Sequence, residues 1–127
     1  MKNKIILLTL FLFIAIDFVN AQKVTVKKDQ ILVDGVAVLN CKTKDFGTEF
    51  SIYELNTTNE IIFSKDQSGF NYLLFVKQDV KMKSKNFFNS IREFAKWLFE
   101  NGVIDTNGKI NEEKTKLFVK KYNIKDN

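Results

Sequence analysis

The chain of 127 residues has no histidine and no proline, and only one cysteine, one arginine and one tryptophan. Without histidine there is no Ser-His-Asp or Cys-His nucleophilic centre and no imidazole metal ligand. The usual general base near neutral pH is missing too. One cysteine cannot build a zinc or iron–sulfur site, and it cannot close an internal disulfide. Cys41 is either a buried thiol behaving as a small hydrophobe, which its apolar strand-like surroundings favour, or an intermolecular link. The five glycines, at 35, 47, 69, 102 and 108, are scattered turn residues and form no phosphate-cradling loop. With proline absent, turns rest on Gly, Asn and Asp. The net charge is +5, but Arg92 is the only arginine, and arginine is the residue that bidentate phosphate and base contacts favour. The abundance of Asn, Ile, Phe and Lys is what an AT-rich genome supplies by default. No nucleic-acid partner and no cofactor are expected.

The N-terminus reads as an export signal. Lys2 and Lys4 precede an apolar stretch over residues 5–16, broken only by Thr9, and Val19-Asn20-Ala21 ends in small residues. The stretch is shorter than the roughly 20 residues that span a bilayer, and Asp17 follows it at once. Residues 1–21 are therefore expected to be a cleaved signal peptide, and residues 22–127 a single exported domain, periplasmic or secreted. No cysteine follows the apolar stretch directly, so lipid attachment there is not expected. No later run is long enough to cross a membrane.

Residues 23–83 read as strands. Residues 23–28 alternate, with Val24 and Val26 on one face. Residues 30–41 hold two β-branched runs joined by Asp34-Gly35, a strong type I′ hairpin signal. Residues 48–55, 60–65, 70–77 and 80–83 follow, separated by the polar turns Asn56-Thr57-Thr58-Asn59 and Asp66-Gln67-Ser68-Gly69. Short loops in sequential order make an antiparallel meander of about six strands the simplest topology. The period then changes. From Ser84 to Asn101, Phe87, Phe88, Ile91, Phe94, Ala95 and Leu98 fall on one arc of a helix, with Ser84 or Asn86 as its cap. Trp97 lies at the arc's edge, covered by the last helix or exposed for contact. That last helix spans about Glu112 to Tyr122, with Asn111 as cap and charges that suit its dipole. The fold class is α+β: the meander followed by two C-terminal helices packed on the sheet.

The segment "GVIDTNGKINEEK" (102–114) has the look of a calcium loop. With Gly108 at the sixth position, Asp105 and Asn107 fall where ligands belong, but Val103 takes the first position and Lys114 replaces the bidentate Glu of the twelfth. Starting the loop at Asp105 brings Gly108 two positions early. Neither register makes a cation cage, so these residues are read as turns and a helix cap. Carboxylate pairs, Asp45 with Glu49 or Glu54 with Glu60, are the only catalytic candidates, and solvated strand charges are the plainer explanation. The lysines near the C-terminus read as a solvated helix face.

One pattern asks for explanation. With Ile61, Phe63, Tyr72, Leu74 and Val76 set toward the helices, Ile62, Leu73 and Phe75 face the other way, joined by Tyr53 and Leu55. A helix-covered sheet ordinarily shows a polar outer face. Either the sheet curls, or the first hairpin covers this face, or it receives a protein or apolar ligand. Tyr53, Leu55, Ile62, Leu73 and Phe75 are thus the candidate interaction face. The leading expectation is a non-catalytic binding or envelope-interaction module of unknown partner. The alternative is a small exported hydrolase or enzyme-inhibitor-like protein using strand-borne carboxylates, and a homo-oligomer through the same face is a third reading. The signal ending "NAQ" (20–22), the hairpin "ILVDGVAV" (31–38) and the tail "LFENGVIDTNGKINEEKTKLFVKKYNI" (98–124) give the chain a pattern that resembles small exported proteins of Bacteroidota-type bacteria. The resemblance covers most of the chain. It implies compartment and rough architecture, and it carries no catalytic or binding residue.

Overall fold

A computed structural model describes residues 22–125. The expected signal peptide lies outside the described residues. Seven strands, where about six were expected, form one sheet in sequence order. They are β1 (Val24–Lys27), β2 (Gln30–Val33), β3 (Val36–Lys44), β4 (Glu49–Glu54), β5 (Glu60–Gln67), β6 (Phe70–Phe75) and β7 (Val80–Lys85). Every neighbouring pair is antiparallel. The β2–β3 turn takes the left-handed backbone its sequence demands, with Asp34 at φ 50° and Gly35 at φ 82°. Two helices follow, α1 (Ile91–Glu100) and α2 (Glu112–Tyr122). α1 packs against β1 and β3, and α2 against β7.

The first helix starts later than its apolar arc suggests. Ser84 and Lys85 complete β7, where they pair with Asn71 and Phe70. The cap is Ser90, whose Oγ accepts from the Glu93 backbone N–H at 3.1 Å. Glu93 Oε2 reaches back to accept from Asn89 N–H at 2.7 Å, in the manner of a capping box. Asn111 caps α2 as expected, accepting from Lys114 N–H at 3.0 Å.

The core lies between the sheet and the helices. Cross-strand rows Cys41–Ile52–Ile62–Phe75–Val80 and Phe50–Ser64–Leu73–Met82 point into it. Phe88 and Phe94 pack on Phe50, with centroids at 5.8 and 5.9 Å. The α2 residue Phe118 meets Phe75 edge-on at 6.1 Å. Trp97 is covered by α2, its ring 4.6 Å from Phe118 and 5.0 Å from Tyr122. Cys41 is a buried free thiol. Burial pushes its pKa up to about 11, and the negative charge of Asp29 adds to the rise.

The edge of β7 is closed by the chain's own tail. Ile124 N–H donates to Lys83 O at 2.7 Å, and Lys83 N–H donates to Asn123 Oδ1 at 2.9 Å. A covered edge offers no template for a further strand.

Candidate functional site

Side chains alternate along a strand, so one fixed residue per row sets the face of every partner across the ladder. Phe75 pairs with Ile62 and Val80, and it is 0 % exposed beneath α2. Ile62 and Leu73 are buried on the same side. Three of the five residues expected to form an interaction face are therefore core, and the two faces of the sheet are the reverse of the expected ones. The physical reason is that β6 is apolar at both parities, so alternation alone cannot orient it. β7 decides the matter. Its Met82 pairs with Leu73 and is buried, while Lys81 and Lys83 pair with Leu74 and Tyr72 and point outward. Ile61 belongs to neither pattern. It is the extra residue of a β-bulge, since Ile52 pairs with Ile62 and Tyr53 with Glu60, and it is buried.

The outer face is consequently built from other residues. One row runs Lys42–Ser51–Phe63–Leu74–Lys81 across β3 to β7. The next runs Lys44–Glu49–Lys65–Tyr72–Lys83. A third runs Gln67–Phe70–Lys85. Tyr53 alone of the expected residues lies on this face, half-buried beside Glu60. Four strand spacings make the face about 19 Å wide. Phe63, Leu74 and Phe70 are half-buried and Tyr72 is 39 % exposed, so a strip of rings and aliphatic carbon lies between flanking lysines. The Lys83 ammonium sits 4.3 Å from the Phe70 ring centroid, a cation–π contact. The only carboxylate within the second row, Glu49, is 4.0 Å from Lys65.

At the end of this face the β3–β4 connection is a short 3₁₀ turn, Asp45–Gly47. Its Phe46 is wholly exposed and adopts φ 58°, ψ 35°, the left-handed region. Nothing in the alternation of polar and apolar residues signals this ring. A phenylalanine set in the polar run "TKDFGTE" is the mark that could have found it.

A cleft of about 1020 Å³ opens at the opposite end of the sheet, beneath the β2–β3 turn and the loop between the helices. Leu55, the fifth expected residue, lines it, as do Leu39, Ile61 and Ile110 and the carboxylates Asp34, Glu54 and Glu112. The helix-connecting loop holds itself together. Asp105 Oδ1 accepts from the backbone N–H groups of Asn107 at 2.9 Å and Lys109 at 3.0 Å, and Ile104 bridges to Ile110. A carboxylate committed to its own turn is the arrangement expected of a structural loop. The two carboxylate pairs do not assemble. Glu49 is occupied with Lys65, and Glu60 stands across from Tyr53 while Glu54 points to the other face. Among the described residues there is no cluster of metal-binding side chains, and no helix is long and apolar enough to cross a membrane.

No protein-family model matches the chain, and no curated protein and no solved structure is significantly similar to it.

Proposed function

We propose that this chain is an exported, non-catalytic binding module that engages a partner in the cell envelope through the outer face of its sheet. The observation that carries the reading is the composition of that face. The helices occupy one side of the sheet, and the other presents Tyr53, Phe63, Phe70, Tyr72 and Leu74 between two flanks of lysine. Rings with a wet tip and lysines with apolar stems suit a surface that is exposed alone and covered in a complex. The export signal expected at residues 1–21 supports a partner outside the cytoplasm.

A photo-cross-linking residue at Tyr72 tests the reading in native cells. The expected result is one discrete adduct that is absent when the same group replaces Leu117, which is exposed on α2. Identical adducts from both positions would overturn it. Adducts only with a second copy of the chain would make the face a homo-oligomer interface.

The end cleft favours the second reading, a small hydrolase, because Glu54 and Glu112 both line it. Under that reading, hydrolysis of a screened substrate would disappear in Glu54→Gln while the Tyr72 adduct remained unaffected.

A further inference from the structure

We infer that the outer face docks on an anionic lipid surface and that Phe46 is the side chain that enters it. The inference rests on the binding-module reading and names its partner. Three consecutive residues at the β3–β4 turn have positive φ: Asp45 at 55°, Phe46 at 58° and Gly47 at 88°. For a bulky side chain this backbone region is a real outlier. The strain is held by the surroundings. Thr48 donates to Asp45 O from both its N–H, at 3.3 Å, and its Oγ1, at 2.8 Å. Asp66 N–H donates to Thr48 O at 2.7 Å and ties the turn to the neighbouring β5–β6 hairpin. The fold thus spends backbone strain to hold a phenyl ring in water, where it packs against nothing. Strain and an exposed apolar group at one residue together point to a use outside the fold.

The chemistry around the ring says what it meets. Lys42 and Lys44 lead into the turn on the outer face, and Lys65, Lys83 and Lys85 stand in the adjoining rows. Among the described residues, Asp45, Glu49 and Asp66 are the carboxylates near them, and Glu49 and Lys65 offset each other. Lysine stems lie along apolar carbon while their ammonium groups reach a plane of phosphates. Tyr72, 39 % exposed beside half-buried Phe70, is a residue type that favours a bilayer interface. A single protruding ring at the end of a lysine-rich face suits insertion between lipids. A polysaccharide would instead use rings laid flat beneath its sugars.

The test is co-sedimentation of the chain, as processed by its own host, with phosphatidylcholine vesicles prepared with and without phosphatidylglycerol. Binding is expected only with phosphatidylglycerol and is expected to weaken as salt shortens the screening length. Lys44→Gln is expected to lower it about 5-fold. Phe46→Gly is the decisive variant. Glycine accepts φ 58° without strain, so the protein should fold at least as well. Loss of the inserted ring should still lower binding about 10-fold or more. Any contribution from residues 5–16 is common to all these chains, so the comparison is between variants. Equal binding by Phe46→Gly, or equal binding to neutral vesicles, would overturn the inference. Absence of binding to either vesicle while the Tyr72 adduct persists would also overturn it, and would leave the binding-module reading standing with a protein or glycan partner.

Discussion

Gly108→Ala tests how the loop between the helices is held against the sheet. Gly108 has φ +81°, and a Cβ added there would lie 2.5 Å from the backbone oxygen of Val38, 3.2 Å from its carbonyl carbon and 3.3 Å from Leu39 Cγ. Two costs follow. Placing an L-residue in the left-handed region costs about 1 kcal/mol. Relieving the contact requires backbone to move from backbone, which lifts the loop carrying buried Val103 and Ile104 and costs about 2 kcal/mol more. Gly35 provides the control. Its φ is +82°, and nothing lies within 4 Å of the same added carbon. Gly35→Ala should therefore lose only the conformational part, about 1 kcal/mol. Urea unfolding of both variants reads the difference. At an m value of about 1.5 kcal/mol per M, the two midpoints should separate by more than about 1 M with unchanged slope. Equal losses, or a loss below about 1 kcal/mol for Gly108→Ala, would refute the close approach.

The orientation of the sheet is checked by a pair of truncations: Phe75→Ala should cost about 3–5 kcal/mol in thermal or urea unfolding, whereas Tyr72→Ala, on the outer side of the same strand, should cost less than about 1 kcal/mol. Ser90→Ala removes the cap of α1 and should lower stability by about 1 kcal/mol, with Ser90→Gly losing less. Cys41 gives a pH dependence. Its folded pKa, about 11, lies above the ordinary thiol value of 9.0, so the unfolded chain releases this proton first as pH rises. The contribution is fully present below about pH 9 and is lost by about pH 11. It is at most about 2–3 kcal/mol. Stability curves for the wild type and Cys41→Ala should converge over that window and run parallel below it.

Much of the architecture was legible from local chemistry. Alternation located the strands, and Asp34-Gly35 located a hairpin whose positive φ values follow from its turn type. Asn111 caps α2 because its side chain can satisfy a first-turn N–H. Two features were obscured by competing signals. Ser84 and Asn86 are good cap residues, yet the Ser90-Ile91-Arg92-Glu93 capping box wins, because β7 gains ladder hydrogen bonds by running on to Lys85. The faces of β5 and β6 were unreadable strand by strand, since Tyr72 and Leu74 compete with Leu73 and Phe75 on hydropathy alone. The answer lay one strand away. A short turn after Phe75 fixes the register of β7, and the alternation of Val80 and Met82 with Lys81 and Lys83 then orients both strands. The candidate site was displaced by the same step. Once the faces exchange, Tyr53 remains outside, Ile62, Leu73 and Phe75 become core, and Leu55 moves to the rim of the end cleft. Phe46 escaped notice because a single exposed ring has no period.

The most direct measurement on the central claim is oxidative footprinting of the chain in intact host cells and after purification. The account predicts that Phe46, Phe63 and Tyr72 lose reactivity in cells, while Phe87 and Leu117, exposed on the helical side, react equally in both settings. Outer-face rings as reactive in cells as in isolation, or protection confined to Phe87 and Leu117, would contradict it.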